Sequence, residues 1–331
     1  MSESAESGRF QGRSAAVTGA GGFIGGAVCR ELVNEGATVT GVEIDAGSAE
    51  RVRATGAEFA EGDVTDPDAL RRALEGADLV VHAAAYVRDW GEMEDFARIN
   101  VGGTVAVLDA AEAAGADRIV HISSVVVYGY HHAGELDEDA FHRTYGIPYI
   151  DTKSASDAVA LRRGAVVIRP GDVYGPGSVP WTLRPLELAR SGQIAVPGKG
   201  DGIMLPVYID DLVESVLLGL LEGEPGEAYT AWDGEPISFG HYFDRIAAIA
   251  GASPARRMPR PLMRALAKGM EAVAAVRRQP PQFSSRAMTF VDRRGTASNR
   301  RAREELGWEP RVGLDDGMRR TEAWLRTEGL L

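Results

Sequence analysis

A single cysteine, Cys29, in 331 residues rules out any disulfide within the chain. It falls on an apolar stretch that suits a buried helix face. No activating base stands near it in the sequence, so neither redox nor nucleophilic chemistry is expected of it. Basic residues are outnumbered, 36 Lys and Arg against 48 Asp and Glu, giving a formal net charge of -12. A nucleic-acid groove needs the opposite balance, so nucleic acid is a poor partner. No run approaches the roughly 18 apolar residues of a transmembrane span, and the N-terminal MSESAESGRFQGR lacks the apolar core of a secretory signal. A cytoplasmic protein with a disordered tail over residues 1–12 is the expectation. The six histidines show no spaced ligand set. His131 and His132 are adjacent and read as part of a solvated loop, so no metal site is expected.

What is present is an alternation of short β-rich runs with helical stretches, the signature of βαβ units wound around a parallel sheet. Strands are expected at 14–18, 37–43, 57–60, 78–84, 118–123 and 165–169, with 227–232 adding one more. Helices are expected at 23–35, 66–75, 93–114, 149–162, 181–191 and 208–221. The fold class is therefore α/β, a doubly wound parallel sheet large enough to carry a dinucleotide. Pro and Gly cluster at 175–180 and 197–206, where the chain leaves the sheet for a smaller unit. Residues 13–176 read as the dinucleotide domain, with 203–233 returning to it. Residues 177–202 and 234–331 read as a mostly helical substrate-binding domain.

TGAGGFIGG at 18–26 follows the first strand and opens a helix, with glycines 19, 22 and 25 spaced GxxGxxG. Gly19, Gly22 and Gly25 allow a pyrophosphate to approach the backbone. The helix start behind them, at Phe23 and Ile24, offers unpaired N–H groups. The second strand ends at Glu43, whose carboxylate suits the adenosine ribose diol and favours NAD over NADP. Asp45 is an alternative, and Arg51 and Arg53 keep NADP open as the lesser choice.

Only three of the 36 basic residues are lysine, and one of them, Lys153, stands four positions after Tyr149 in PYIDTK. Such a pair arises by accident only about 0.08 times in a chain of this composition. On a helix, which Pro148 suits at its opening, the two side chains share a face. An ammonium beside a phenol favours phenolate, so Tyr149 suits proton transfer with a substrate oxygen.

Together these segments resemble the extended short-chain dehydrogenase/reductase family, in its 3β-hydroxysteroid dehydrogenase-like and epimerase/dehydratase branches. GDVTD at 62–66 is similar to the family's adenine-contacting segment, placing Asp63 and Val64 at the cofactor. HAAA at 82–85 resembles the exit of the fourth strand, where Ala83, Ala84 and Ala85 lie against it. NVGGT at 100–104, with Asn100, and ISSVVVYG at 122–129 are further landmarks. RPGDVYGPG at 169–177, with Pro170 and Val173, VYIDDL at 207–212 and LGWEP at 306–310 complete the series. The likeness runs from about residue 14 to 325. It implies a Rossmann sheet, Ser124 as the catalytic serine, Tyr149 as the acid/base, and Lys153 as the partner of Tyr149 and of the nicotinamide ribose. It also implies a homodimer through the helices at 93–114 and 149–162.

Two branches of that family compete over the substrate. Sugar-nucleotide enzymes usually carry Asn where this chain has Asp172, and an Arg near Met204. A carboxylate and a thioether there suit a secondary alcohol or ketone on a mainly apolar small molecule, hydroxysteroid- or dihydroflavonol-like. Val125, Val126, Trp181 and Met204 are candidate pocket walls beside Asp172. Arg184 and Arg190 keep a nucleotide-sugar epimerase or dehydratase as the alternative. A non-catalytic NAD(P) sensor is the third reading, and the Tyr149 and Lys153 pair argues against it. In the basic stretch from Arg256 to Arg278, Leu262, Leu266, Met270 and Val273 fall near helical spacing. This reads as an amphipathic helix of the small domain with a solvated face; a membrane contact or a cover over the substrate would use the same pattern.

Overall fold

The chain is seen in a computed structural model that describes residues 8–88, 90–132, 134–277, 279 and 283–331. Seven strands, β1 (Ser14–Thr18), β2 (Thr38–Glu43), β3 (Glu58–Glu61), β4 (Leu79–His82), β5 (Arg118–Ile122), β6 (Val166–Pro170) and β7 (Ala228–Ala231), form one sheet. Its order is β7-β6-β5-β4-β1-β2-β3 and every pairing is parallel. Every residue of β4, β6 and β7 is buried, as expected where helices cover both faces. The strand order reverses between β1 and β4, where Val17 lies beside Gly41 on one side and Val81 on the other. A doubly wound sheet binds its ligand at the carboxyl edge of that switch point.

The helices are α1 (Phe23–Asn34), α2 (Ala49–Arg53), α3 (Pro67–Ala73), α4 (Met93–Phe96), α5 (Gly103–Ala114), α6 (Pro148–Arg162), α7 (Arg184–Arg190), α8 (Ile209–Glu222), α9 (Phe239–Ile249), α10 (Arg260–Arg277), α11 (Ser285–Val291), α12 (Arg300–Leu306) and α13 (Leu314–Thr327). Local chemistry sets several boundaries. Asp66 caps α3 by accepting the N–H groups of Asp68 and Ala69, and Pro148 occupies the first turn of α6. α1 and α8 cover one face of the sheet; α3, α5 and α6 cover the other. Cys29 lies buried on α1, and burial pushes its thiol up to about 12, which leaves it protonated and inert.

Four expectations are corrected. Residues 8–12, expected in the tail, are packed against the body of the protein. Phe10 is 2% exposed within the main core, and Arg9 pairs with Glu35 and Glu214; residues 1–7 of the expected tail lie outside the described residues. The helix expected at 93–114 is interrupted by a π turn at Ala97–Gly102, and a second π turn at Val179–Leu183 precedes α7. His132 is half-buried with its ring against Gly295, and only His131 is exposed. In α10 the apolar positions Leu262, Leu266 and Val273 face outward, while Met263, Ala267 and Ala274 are the buried ones. Arg278, the end of that basic stretch, lies outside the described residues.

Short strand pairs join the smaller unit to the sheet edge. Pro206–Tyr208 runs parallel to Asp172–Tyr174, Ile203–Met204 antiparallel to Ile237–Ser238, and Thr296–Ala297 parallel to Glu135–Leu136. α12 lies against β7 and α8, so part of the C-terminal segment serves the sheet layer. Among the described residues no helix is long and apolar enough to cross a membrane.

Candidate active site

The turn after β1 is built so tightly that only glycine fits. Gly19 has φ +72°, and a Cβ there would sit 2.9 Å from the Ala84 backbone. A Cβ on Gly25 would lie 2.1 Å from the Gly19 carbonyl oxygen. Gly22 is the N-cap of α1 and no side chain caps it, so the first N–H groups of the helix, at Phe23 and Ile24, remain for an anion. At the end of β2 the Glu43 carboxylate accepts the N–H groups of Gly21 (3.2 Å) and Ile44 (3.0 Å), which fixes it beside the glycine turn. Arg51 lies alongside, donating to Ser48 Oγ (2.7 Å) and the Gly21 carbonyl (3.4 Å). Asp63 is half-buried and accepts the Thr65 N–H, and Val64 packs against Gly103. Ala83, Ala84 and Ala85 are half-buried at the exit of β4, small enough to leave the crevice open. This donor set fits a dinucleotide: helix N–H groups for the pyrophosphate, a fixed carboxylate for the ribose and small side chains along the edge.

Behind that edge lies a buried polar ladder. Thr18 Oγ1 accepts the Ala84 N–H and meets His82 Nδ1 at 2.8 Å, and His82 Nε2 meets Thr104 Oγ1 at 3.0 Å. Burial, reinforced by the nearby Lys153, lowers His82 to about 3, so its ring is neutral. The same causes hold His121, 5.1 Å from it ring to ring, well below its usual value.

Ser124 follows β5 and caps a short 3₁₀ turn, its Oγ accepting the Val126 N–H at 3.3 Å. That bond uses an acceptor lone pair and leaves the hydroxyl proton available to donate. Tyr149 is half-buried in the first turn of α6, with Lys153 one turn further along the same face. Lys153 is fully enclosed, and its Nζ donates to the Ile122 carbonyl (2.7 Å), two residues before Ser124. Burial pushes its ammonium down to about 8, against the pull of Asp157. The end of β5 and the start of α6 are thus pinned together by the lysine itself.

Asn100, inside the π turn, accepts the Tyr86 N–H (2.6 Å) and donates to Thr152 Oγ1 (3.1 Å), tying the strand exit to α6. A π turn at such a point is commonly functional. Two other supports were not legible from motif spacing. Asp157 on α6 takes both arms of the buried Arg169 guanidinium (2.9 and 3.0 Å) and meets His142 Nε2 at 2.8 Å. Arg169 also donates to Tyr128 Oη and the Glu138 carbonyl. The second is Arg293.

The substrate side holds one correction. Asp172 does not present a bare carboxylate: it is buried, accepts the Leu205 N–H (2.8 Å), and is bonded by Arg293, itself buried. Arg293 also donates to the Ile203 carbonyl and lies over the rings of Phe239 and Phe290. Its Nη1 is buried with no hydrogen-bond partner among the described residues. Trp181 stacks on Phe239 with centroids 5.6 Å apart and lies 5.5 Å from Phe290. Val126 packs with Tyr149 and Phe290, Val125 and Met204 sit in the main core, and Pro170 and Val173 are buried at the end of β6. Arg184 and Arg190 are exposed on α7. Among the described residues no group of three or more His, Cys, Asp or Glu side chains could hold a metal ion.

Comparison with known proteins adds a family model, described as the NAD dependent epimerase/dehydratase family, that matches residues 15–231. A 2-alkyl-3-oxoalkanoate reductase of Shewanella oneidensis is 27% identical over 335 residues, spanning 93% of this chain and 85% of that protein. A dTDP-glucose 4,6-dehydratase of Streptomyces niveus is 30% identical over 280 residues, spanning 81% and 76%. The solved structure of MoeE5 in complex with UDP-glucose and NAD superposes with a TM-score of 0.76 at 25% identity, covering 95% of this chain and 99% of that one.

Proposed function

The chain belongs to the NAD dependent epimerase/dehydratase family, and on that footing we propose that it moves hydride reversibly between NAD and a secondary alcohol or ketone on a mainly apolar small molecule. NAD is its cofactor, and an NAD-dependent oxidoreductase or epimerase is its class. The cofactor supplies hydride acceptance and donation at the nicotinamide. In this reading the chain's own residues handle the proton and the geometry. Ser124 donates a hydrogen bond through its hydroxyl to the substrate oxygen and orients it, keeping its own proton. Tyr149 takes the alcohol proton during oxidation and returns it during reduction. Lys153, an ammonium one helical turn away, favours the phenolate and is held rigid by the Ile122 carbonyl.

The observation that carries the substrate class is the Asp172–Arg293 pair. A cation already matched by a buried carboxylate and two aromatic faces offers little to a diphosphate, while Trp181 and Phe290, backed by the buried Phe239, offer a ring or chain an apolar wall. The reductase likeness points the same way. A nucleotide-sugar epimerase or dehydratase is the second reading, favoured by the unpartnered Nη1 of Arg293 and by the dehydratase likeness.

Incubation with NAD and separate pools of long-chain or ring-bearing secondary alcohols and of nucleotide sugars decides between them. Net reduced cofactor with an apolar alcohol is the expected result. Conversion of a nucleotide sugar without net reduced cofactor supports the second reading and ends the first. A cytoplasmic location and a homodimer through α5 and α6, which pack side by side, belong to the same proposal. Gel filtration returning only monomer at micromolar concentration would remove the dimer.

A further inference from the structure

α10 wears its apolar side chains on the outside. Leu262, Leu266, Val273 and Val276 are 51%, 49%, 50% and 85% exposed, while the inward stripe consists of Met263, Ala267 and Ala274. At helical spacing those four exposed residues and Gly269 fall within an arc of about 80°. Exposed Pro261, Ala265 and Ala272 extend the arc on one side as far as Lys268, and Arg277 borders it on the other; both cations are exposed and without an ion pair among the described residues, while Arg264 falls beside Glu271 on the opposite side of the helix. The single acid of the helix, Glu271, turns away from the arc, where Ser285 donates its N–H (2.7 Å) and Oγ–H (2.8 Å) to it. The outer surface of α10 is thus apolar and bordered only by cations, on a chain whose net charge is -12.

We propose that this face docks on an anionic lipid bilayer, with Leu262, Leu266, Val273 and Val276 entering the boundary between headgroups and acyl chains and Lys268 and Arg277 meeting lipid phosphates. An apolar helical face bordered by basic residues is the pattern of an in-plane amphipathic helix. The charge argument selects this occupant. An acidic protein is repelled from an anionic surface everywhere except where its cations are gathered, so α10 also sets the orientation of approach. That orientation has a use. α11 lies under α10 and carries Phe290 to the Trp181 and Phe239 wall, and Arg264 shares a cleft with His131, Met288 and Thr289 of that region. Docking brings the aromatic wall within one helix of the bilayer. The docking itself stands apart from the identity of the substrate.

The test is co-sedimentation of the full chain with phosphatidylcholine vesicles, with and without phosphatidylglycerol, at low and high salt. Binding that needs the anionic lipid and weakens with salt is expected. The exposed-site variant L266E/V273E should lower the bound-to-free ratio at least about tenfold. K268E/R277E should remove the preference for phosphatidylglycerol. Circular dichroism of each variant checks that the fold is kept, and two different pairs of exposed positions guard against the failure of one. No binding of the wild type to anionic vesicles overturns the proposal, as does binding that L266E/V273E leaves unchanged. A lipid-free oligomer that L266E/V273E dissociates, without vesicle binding, assigns the face to a second copy of the chain and overturns it equally.

Discussion

Replacing Lys153 by Met should make the protein inactive and more stable at once. The ammonium is enclosed, and burial lowers it from 10.5 to about 8. At about 1.4 kcal/mol for each tenfold change, keeping the charge below pH 8 costs the folded state about 3 kcal/mol. Loss of the Nζ–H bond to the Ile122 carbonyl gives back about 1 kcal/mol. A net gain of about 2 kcal/mol at pH 7 follows for Lys153→Met, whose side chain fills a similar volume. The sign with pH follows from proton binding. Between pH 8 and 10.5 the unfolded chain holds the lysine proton more tightly than the folded one, so the wild type gains stability across that window. The advantage of the variant is therefore full below pH 8 and gone near pH 10.5. Urea unfolding of both proteins at pH 7 and near pH 10 measures it. A variant less stable than wild type at pH 7, or equally advantaged at both pH values, would refute the reasoning.

Asp172→Asn should leave Arg293 a buried unmatched cation and cost about 3–5 kcal/mol, lowering Tm by on the order of 10 °C; the double variant D172N/R293M should recover most of it in a thermal melt, and a melt unchanged in D172N would show that the pair is not held. Asn100→Ala should strand the Tyr86 N–H and release Thr152, with turnover falling on the order of a hundredfold through misplacement of α6; retained turnover would mean that the π turn does not position the helix. Phe10→Ala should cost about 3–5 kcal/mol in chemical denaturation, and a change below about 0.5 kcal/mol would return residues 8–12 to a loose tail.

Strands such as β4 and β6 were legible because helices cover both faces of the sheet there, while β3, EFAE with exposed ends, shows only by its place in the βαβ alternation. A continuous apolar run of four to six residues between glycine-rich turns has few other readings. The glycine turn and the Tyr149 and Lys153 pair were legible for a different reason: their chemistry depends on local spacing. What escaped reading depends on distant partners. Asp172 read as an open carboxylate because the residue that matches it, Arg293, lies 121 positions away. The Asp157, Arg169 and His142 cluster that braces α6 crosses three segments in the same way. Periodicity located the apolar stripe of α10 but carries no information on which side the protein lies. The π turn at Ala97–Gly102 adds one residue to a turn inside an otherwise regular helix, too little to disturb the pattern. Phe10 was hidden by its polar neighbours, since one aromatic in a charged segment gives no period.

Single-turnover hydride transfer by Tyr149→Phe tests the catalytic assignment most directly, using the alcohol that yields reduced cofactor with the wild type. Phenylalanine keeps the ring's place against the Val126, Tyr130 and Ile150 cluster and removes only the hydroxyl. Transfer slowed about 10²–10⁴-fold, with NAD affinity essentially unchanged, is the predicted result. Transfer at the wild-type rate would contradict the account, because the substrate's proton would then be passing through another group.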